Sequence, residues 1–518
     1  MQLNKHPVSA SIAKARHVGL VSCTYASSLP TPLLILFSEK VRQSSRKMER
    51  KEIHVVLLPW LAFGHMMPFH ELAISLAKAG IKVSYISTPN NLRRLPTPPP
   101  PLAALITPVA LPLPPLDLPE NAEATVDIPM EKLLSLTMAF DLLHQPFKQF
   151  VSDNSPDWII SDFIPHWTSD VARDLGVPLL TFSAFSAATN VFFGPPEFLS
   201  GEGQKRVRSS IESLTSPPEW VTFPSAVAYR KFEAAGALFG FFGDNPTGIS
   251  AAGRVGKTLE GSRAVAIRSC REIEGEYLSL FEQIIGKPVI PVGLLPPLKS
   301  NKAQKQTRDE NWTQIFKWLD YQKPRSVLFV GFGSECKLNK EEIHEIAHGL
   351  EKSELPFLWA LRKPTWAIED LDSVPIEFTD RTLERGRVSF GWAPQREILE
   401  HPSIGGSLFH AGWGSVIETL QFGHSMVVLP LIIDQGLNAR LMVEKGLAIE
   451  VERSEDGSFS RDDIAKALKL AMVSKEEDEM RARLREAAEM AGDQKLHGGY
   501  MDEFVKYLKN GAVIANKN

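Results

Sequence analysis

Hydrophobic and polar positions along the chain repeat one grammar twice. From residue 53 the apolar run IHVVLL gives way to PFHELAISLAKAG, whose apolar residues recur at helical spacing, and then to a second run, KVSYIST. A short continuous apolar run reads as a buried strand and a 3.6-residue period as an amphipathic helix, so this stretch predicts a strand–helix–strand unit. The grammar restarts at residue 326 with SVLFVGFGS, the helical KEEIHEIAHGLEKS and PFLWAL. Further strands are predicted at DWIIS, RVSFG, GGSLFH, MVVLPL and AIEVE, and the chain after residue 460 reads as mostly helical. Continuous apolar strands suit a parallel sheet covered on both faces. Two restarts therefore predict two doubly wound α/β lobes, each binding ligands at the carboxyl ends of its strands.

Between the restarts, LLPPLKSNKAQKQTRDENW is polar and charged after a proline pair, which is how an exposed linker reads. The expected division is an extension over 1–47, a first lobe over 48–293, a linker over 294–312, a second lobe over 313–490 and a helical tail over 491–518. The Pro-rich stretch 95–119 reads as a strand and surface loop of the first lobe. Residues 1–47 carry seven Lys or Arg against one acid, Glu39, with many Ser and Thr, the composition of a transit peptide. A clean strand begins just after Met48, however, and the reading adopted is that Met48 opens the working chain.

Composition narrows the function classes. At 518 residues the chain exceeds the ~250 to 300 that one core sustains, in keeping with two lobes. A formal charge of -4 offers no basic field for nucleic acid. No apolar run approaches the ~18 to 20 residues of a membrane helix, so no stable membrane insertion is expected. Cys23, Cys270 and Cys336 are too few and too scattered for a disulfide framework or a thiolate zinc site. That suits a reducing compartment, the cytoplasm, or a plastid if residues 1–47 act as a transit peptide.

The chemistry should lie in loops after strands. In PWLAFGHMMP, Gly64 and His65 fall between the first strand and its helix, with Pro68 suited to the first helical turn. In SPDWIISDFIPHW, Asp162 closes a strand. Alone, the histidine could pack and the carboxylate could cap the next helix. Together they match a His held by an Asp, the usual way to fix an imidazole's tautomer and stabilise its protonated form.

In the second lobe GFGSE and FHAGWGSVIE set glycines and hydroxyls before helices, where unpaired N–H groups and the helix dipole favour phosphate. His410 and Ser415 add donors, and Glu418, one turn later, suits sugar or ribose hydroxyls. Two tempting matches fail. GRVGKT has the tail of a P-loop, but the required first glycine falls on Ala251 and no strand leads in. GFGSEC puts Cys336 where a dinucleotide fingerprint needs its third glycine, which argues against a two-lobed oxidoreductase.

Residues 392–435, WAPQREILEHPSIGGSLFHAGWGSVIETLQFGHSMVVLPLIIDQ, closely resemble the 44-residue signature box of plant family 1 UDP-glycosyltransferases. The resemblance runs from about residue 52 to 510, and PWLAFGH and FGHSMVVLP look most like the branch that adds glucose or rhamnose to terpenoid, steroid and flavonoid glycosides. It implies a GT-B fold of two Rossmann-like lobes facing a cleft. It also implies an inverting transfer from a UDP-sugar to a small lipophilic acceptor, with no metal or other cofactor, by a monomer.

Residue by residue, the resemblance makes His65 the general base and Asp162 its partner. Trp392 would stack on uracil, Ala393 and Gln395 would hold base and ribose, and Glu418 would take the ribose hydroxyls. Ser334, His410, Gly412, Trp413, Gly414 and Ser415 would line the diphosphate, and Asp434 and Gln435 the donor sugar. Two positions depart from the commonest family text: Ala411 replaces a frequent Cys, and Gly414 a frequent Asn whose side-chain amide is thereby lost near the diphosphate. The rival reading, a nucleotide-sugar-binding protein without turnover, would suit a chain lacking the base, and both dyad residues are present. Acceptor contacts are expected from Phe163, His166, Trp167 and residues 225–245.

Overall fold

The computed structural model describes residues 52–200, 208, 210–243, 245–295 and 310–515; the expected extension over 1–47 and most of the expected linker fall outside the described residues. Among the described residues two parallel sheets form. In the first, β1 (His54–Leu58), β2 (Lys82–Ser87), β3 (Ile106–Ala110), β4 (Trp158–Ser161), β5 (Leu179–Ser183), β6 (Val265–Ile267) and β7 (Val289–Pro291) stand in the order β3-β2-β1-β4-β5-β6-β7. In the second, β8 (Val327–Gly331), β9 (Phe357–Leu361), β10 (Gly386–Phe390), β11 (Ile404–Phe409), β12 (Ser425–Val428) and β13 (Ala448–Glu450) stand in the order β10-β9-β8-β11-β12-β13. Both orders reverse beside their first strand, which leaves a crevice between β1 and β4 and another between β8 and β11, where such sheets bind ligands.

Alternation along each strand feeds two cores. Val55 and Leu57 face the helix Phe63–Lys78, joining its Phe69, Leu72 and Leu76, whereas Val56 and Leu58 face Leu136, Phe140 and Phe147. With both faces covered, the apolar runs could not alternate with polar residues, which is why they read as continuous. β3 emerges from the Pro-rich stretch at a sheet edge, where Pro108 costs no ladder bond on its outer side. β5, β6 and β7 are not among the predicted strands; β6 and β7 are three residues each, whereas β5 is as long as β1.

Two features differ from the pattern. The first helix begins at Phe63, not near Pro68, so His65 lies in its first turn and Pro68 is its sixth residue. Proline there forgoes the bond its N–H would have made to the Gly64 carbonyl, one turn earlier, and its ring crowds that carbonyl. The second concerns the last helix, Gln494–Ala515, whose Phe504, Val505 and Leu508 pack into the core of the first sheet. The Trp158 indole N–H donates to the Leu508 carbonyl at 3.0 Å. Among the described residues no helix is long and apolar enough to cross a membrane.

Candidate active site

β1 and β4 deliver His65 and Asp162 to the crevice of the first sheet. The Asp162 carboxylate is almost fully buried and held by three N–H groups: Trp60 and His65 Nδ1 donate to Oδ2 at 2.9 Å each, and Phe163 donates to Oδ1 at 2.8 Å. A carboxylate only accepts, so Nδ1 carries the proton and the lone pair of the neutral ring sits on Nε2. Burial presses the imidazole pKa down, but the charge and hydrogen bond of Asp162, with Asp434 and Glu335 behind them, raise it above its ordinary value. The rings of Phe163 and Phe185 stand 5.5 and 5.4 Å from the imidazole, centroid to centroid. Both line a small, mostly apolar pocket together with Asp162 and Phe193. The arrangement can accept a proton from a hydroxyl presented by an apolar molecule.

The expected acceptor wall is partly elsewhere. Phe163 lines the pocket, and Phe241 reaches it by stacking on Phe193 at 4.2 Å. Trp167 instead packs among Phe140, His144 and Phe147 in the core. His166 contacts the buried Arg254, which is paired to Asp141.

β8 and β11 deliver the opposing loops. The helix Trp413–Gln421 starts at Gly412 with no side chain capping its first turn, and Ala411, just before it, is held in the left-handed region at φ 62°. Left-handed backbone strains a residue with a Cβ, and such strain persists where a turn must aim its N–H groups. Gly414 and Ser415 follow in that first turn. The His410 ring is clamped between Gly333 and Gly412, where an added Cβ would lie 2.6 Å from it in each case. Burial lowers its pKa to about 4, so it is neutral near pH 7, and its buried Nδ1 takes no hydrogen bond among the described residues.

Further along, Glu418 accepts from Gln395 Nε2 at 2.7 Å, and burial raises its pKa against the pull of Gln395, Arg268 and Arg396. Trp392, beside Ala393, is 70% exposed and stands 5.6 Å from the Phe63 ring across the cleft, an aromatic surface open to a base. Asp434 is buried, with its pKa raised by burial, and accepts from Asn438 Nδ2 at 2.7 Å.

Three predicted residues are engaged otherwise than expected. The Trp413 indole is buried and donates to the Arg268 carbonyl at 2.8 Å, so toward a ligand this residue offers its backbone alone. The Gln435 side-chain oxygen accepts from Leu431 and Ile432 N–H groups at 2.9 and 3.0 Å, which leaves its amide nitrogen beside Cys336. The Ser334 hydroxyl bonds Glu335, whose carboxylate also accepts from Thr125 of the first lobe.

Residues given no bridging role in the sequence expectations tie the lobes together. Asn438 accepts from Ser186 at 2.8 Å and donates to the Ala411 carbonyl at 3.1 Å, and Tyr229 donates to the Ile433 carbonyl at 2.9 Å. Arg268 and Glu71, the latter with a pKa raised to about 7 mainly by burial, lie near enough to Glu418 for their charges to act on it. No local pattern marks them, although Arg268 directly follows a strand.

A family profile described as UDP-glucoronosyl and UDP-glucosyl transferase matches residues 304–485. UDP-glycosyltransferase 91C1 of Arabidopsis thaliana is 42% identical over 89% of this chain and 98% of its own. Soyasaponin III rhamnosyltransferase of Glycine max is 39% identical over 89% and 97%. Among solved structures, Glycyrrhiza uralensis UGT73P12 complexed with glycyrrhetinic acid 3-O-monoglucuronide matches with a TM-score of 0.75 at 25% identity, covering 90% of this chain and 98% of that one.

Proposed function

Because this chain belongs to the plant family 1 UDP-glycosyltransferases and shares their GT-B fold, we propose that it moves glucose or rhamnose from a UDP-sugar, with inversion, onto a hydroxyl of a small lipophilic metabolite or its glycoside. The observation that carries this reading is the His65–Asp162 pair, at 2.9 Å, in the crevice of one sheet, while the uncapped Trp413–Gln421 helix opens from the crevice of the other.

In the proposed reaction His65 Nε2 takes the acceptor hydroxyl's proton as its oxygen attacks the anomeric carbon. The new C–O bond forms on the face opposite the breaking bond to UDP, so configuration inverts. Asp162 holds the imidazole and stabilises the imidazolium. Charge growing on the departing diphosphate meets the first-turn N–H groups of Gly414 and Ser415, with His410 and Ser334 beside them. Trp392 stacks on uracil, Ala393 and Gln395 hold base and ribose, Glu418 takes the ribose hydroxyls, and Asp434 with the Gln435 amide takes the sugar. No metal is part of the scheme. The same reading places the enzyme in the cytoplasm as a monomer.

A rhamnosyltransferase at 39% identity supports rhamnose as a donor, and a glucuronide bound to a structural relative supports a glycoside acceptor. The test is UDP release from UDP-glucose and UDP-rhamnose with and without pooled terpenoid and flavonoid glycosides, in EDTA, with products read by mass spectrometry and NMR. Acceptor-dependent release with an inverted anomeric centre is expected. UDP binding without release would favour the non-catalytic reading, and a retained configuration would overturn inversion.

A further inference from the structure

Arg268 follows β6 and is 4% exposed, yet its guanidinium is only partly engaged. Its Nε donates to the Leu294 carbonyl at 2.8 Å and its Nη2 to the Leu295 carbonyl at 3.2 Å. Its backbone is fixed as well, the N–H donating to Ser183 and the carbonyl accepting from the Trp413 indole. Nη1 donates no hydrogen bond to the described residues, and it stands 3.6 Å from where a Cβ on Gly414 would lie. Burial presses the guanidinium pKa down while Glu418 and Glu71 pull it up, but neither carboxylate forms an ion pair with it.

A buried guanidinium lacking a paired anion is costly, and its planar fork matches a phosphate. Here the unengaged nitrogen points at the second residue of an uncapped helix, which itself attracts anions. Glycine at 414 leaves the gap between them open; an asparagine amide would stand in it.

We propose that Arg268, reaching from the first lobe, binds the donor diphosphate through Nη1 in the space that Gly414 leaves empty. This rests on the donor site proposed above. The side-chain amide lost at position 414 is thus replaced by a full positive charge from the opposite lobe. The diphosphate then joins the two lobes, since one set of its contacts comes from each. As the sugar–phosphate bond breaks, Arg268 remains on the leaving group, where negative charge is growing.

Calorimetric titration of UDP and of uridine, which lacks the phosphates, tests this on the wild type and on Arg268→Gln. Loss of a charged hydrogen bond should weaken UDP about tenfold or more and leave uridine within about twofold. Equal UDP affinity in the variant would overturn the proposal, and so would an equal loss for uridine, which would mean that Arg268 acts only through Glu418. Wild-type protein that binds neither compound would instead sink the donor-site reading itself. Should Arg268→Gln fail to fold, a crystal structure of the wild type with UDP decides: Nη1 within about 3.2 Å of a diphosphate oxygen is expected, and a fully solvated diphosphate on that side refutes it.

Discussion

Asp162 shows how far one side chain can be committed. With Trp60, Phe163 and His65 all donating to it, its carboxylate has no freedom to turn, and the imidazole it holds presents Nε2 alone for chemistry. His65→Ala should lower kcat by roughly 10² to 10⁴ with UDP affinity nearly intact, as for loss of a general base. Near-wild-type turnover would remove His65 from that role. The pH dependence follows from the same contacts. A base works deprotonated, so activity should rise with pH through the His65 pKa, which Asp162 holds above 6.5 in spite of burial. Asp162→Asn removes that support and leaves burial, so the acid limb of kcat/KM should move to lower pH while the plateau drops. A limb that stays in place would assign it to another group. Both residues were legible because each lies in the turn that follows an apolar strand, Asp162 immediately after β4 and His65 in the first turn of the helix after β1. The use of the Trp413 indole between the lobes was not, since its partner, Arg268, belongs to the other lobe.

At the scale of elements, strands and helices were legible wherever an apolar run was long enough to show its period. Strands β5, β6 and β7 were not, although β5 is as long as β1, and the start of the first helix was misplaced because Pro68 resembles an opening residue. Close approaches between elements leave a fainter trace, in glycines. In β11 a Cβ on Gly405 would come within 2.1 Å of the Arg325 carbonyl oxygen. That neighbour is backbone and cannot rotate away. Gly405→Ala should therefore cost about 1 to 3 kcal/mol, read as a lower thermal midpoint; an unchanged midpoint would show that the strand shifts freely. Because β11 feeds the His410 loop, the same variant should also weaken UDP binding.

For the whole molecule, the last helix matters more than its place in the chain suggests. Leu508 is fully buried in the core of the first sheet, beside Trp158 of β4, the strand that delivers Asp162. Leu508→Ala should destabilise by about 2 to 5 kcal/mol, and hydrogen exchange should show β1 and β4 opening more readily. UDP affinity should hold, because most of the proposed nucleotide contacts come from the second lobe. Protection unchanged in β1 and β4 would mean the tail is an ornament to this lobe.

The sequence by itself determined two parallel α/β lobes, the strand-end placing of His65 and Asp162, and the character of the loop from His410 to Glu418. Each of these depends on local period, or on residue types within one strand–loop–helix unit. Only the tertiary structure decided which residues of one lobe meet the other: Arg268 facing Gly414, Asn438 bonded to Ser186, Trp392 facing Phe63, and the final helix returned to the first sheet. Those pairings depend on how two separately built sheets face each other. No hydrophobic period within either lobe encodes that orientation, because the residues that meet are far apart in the chain and become neighbours only when the surfaces dock.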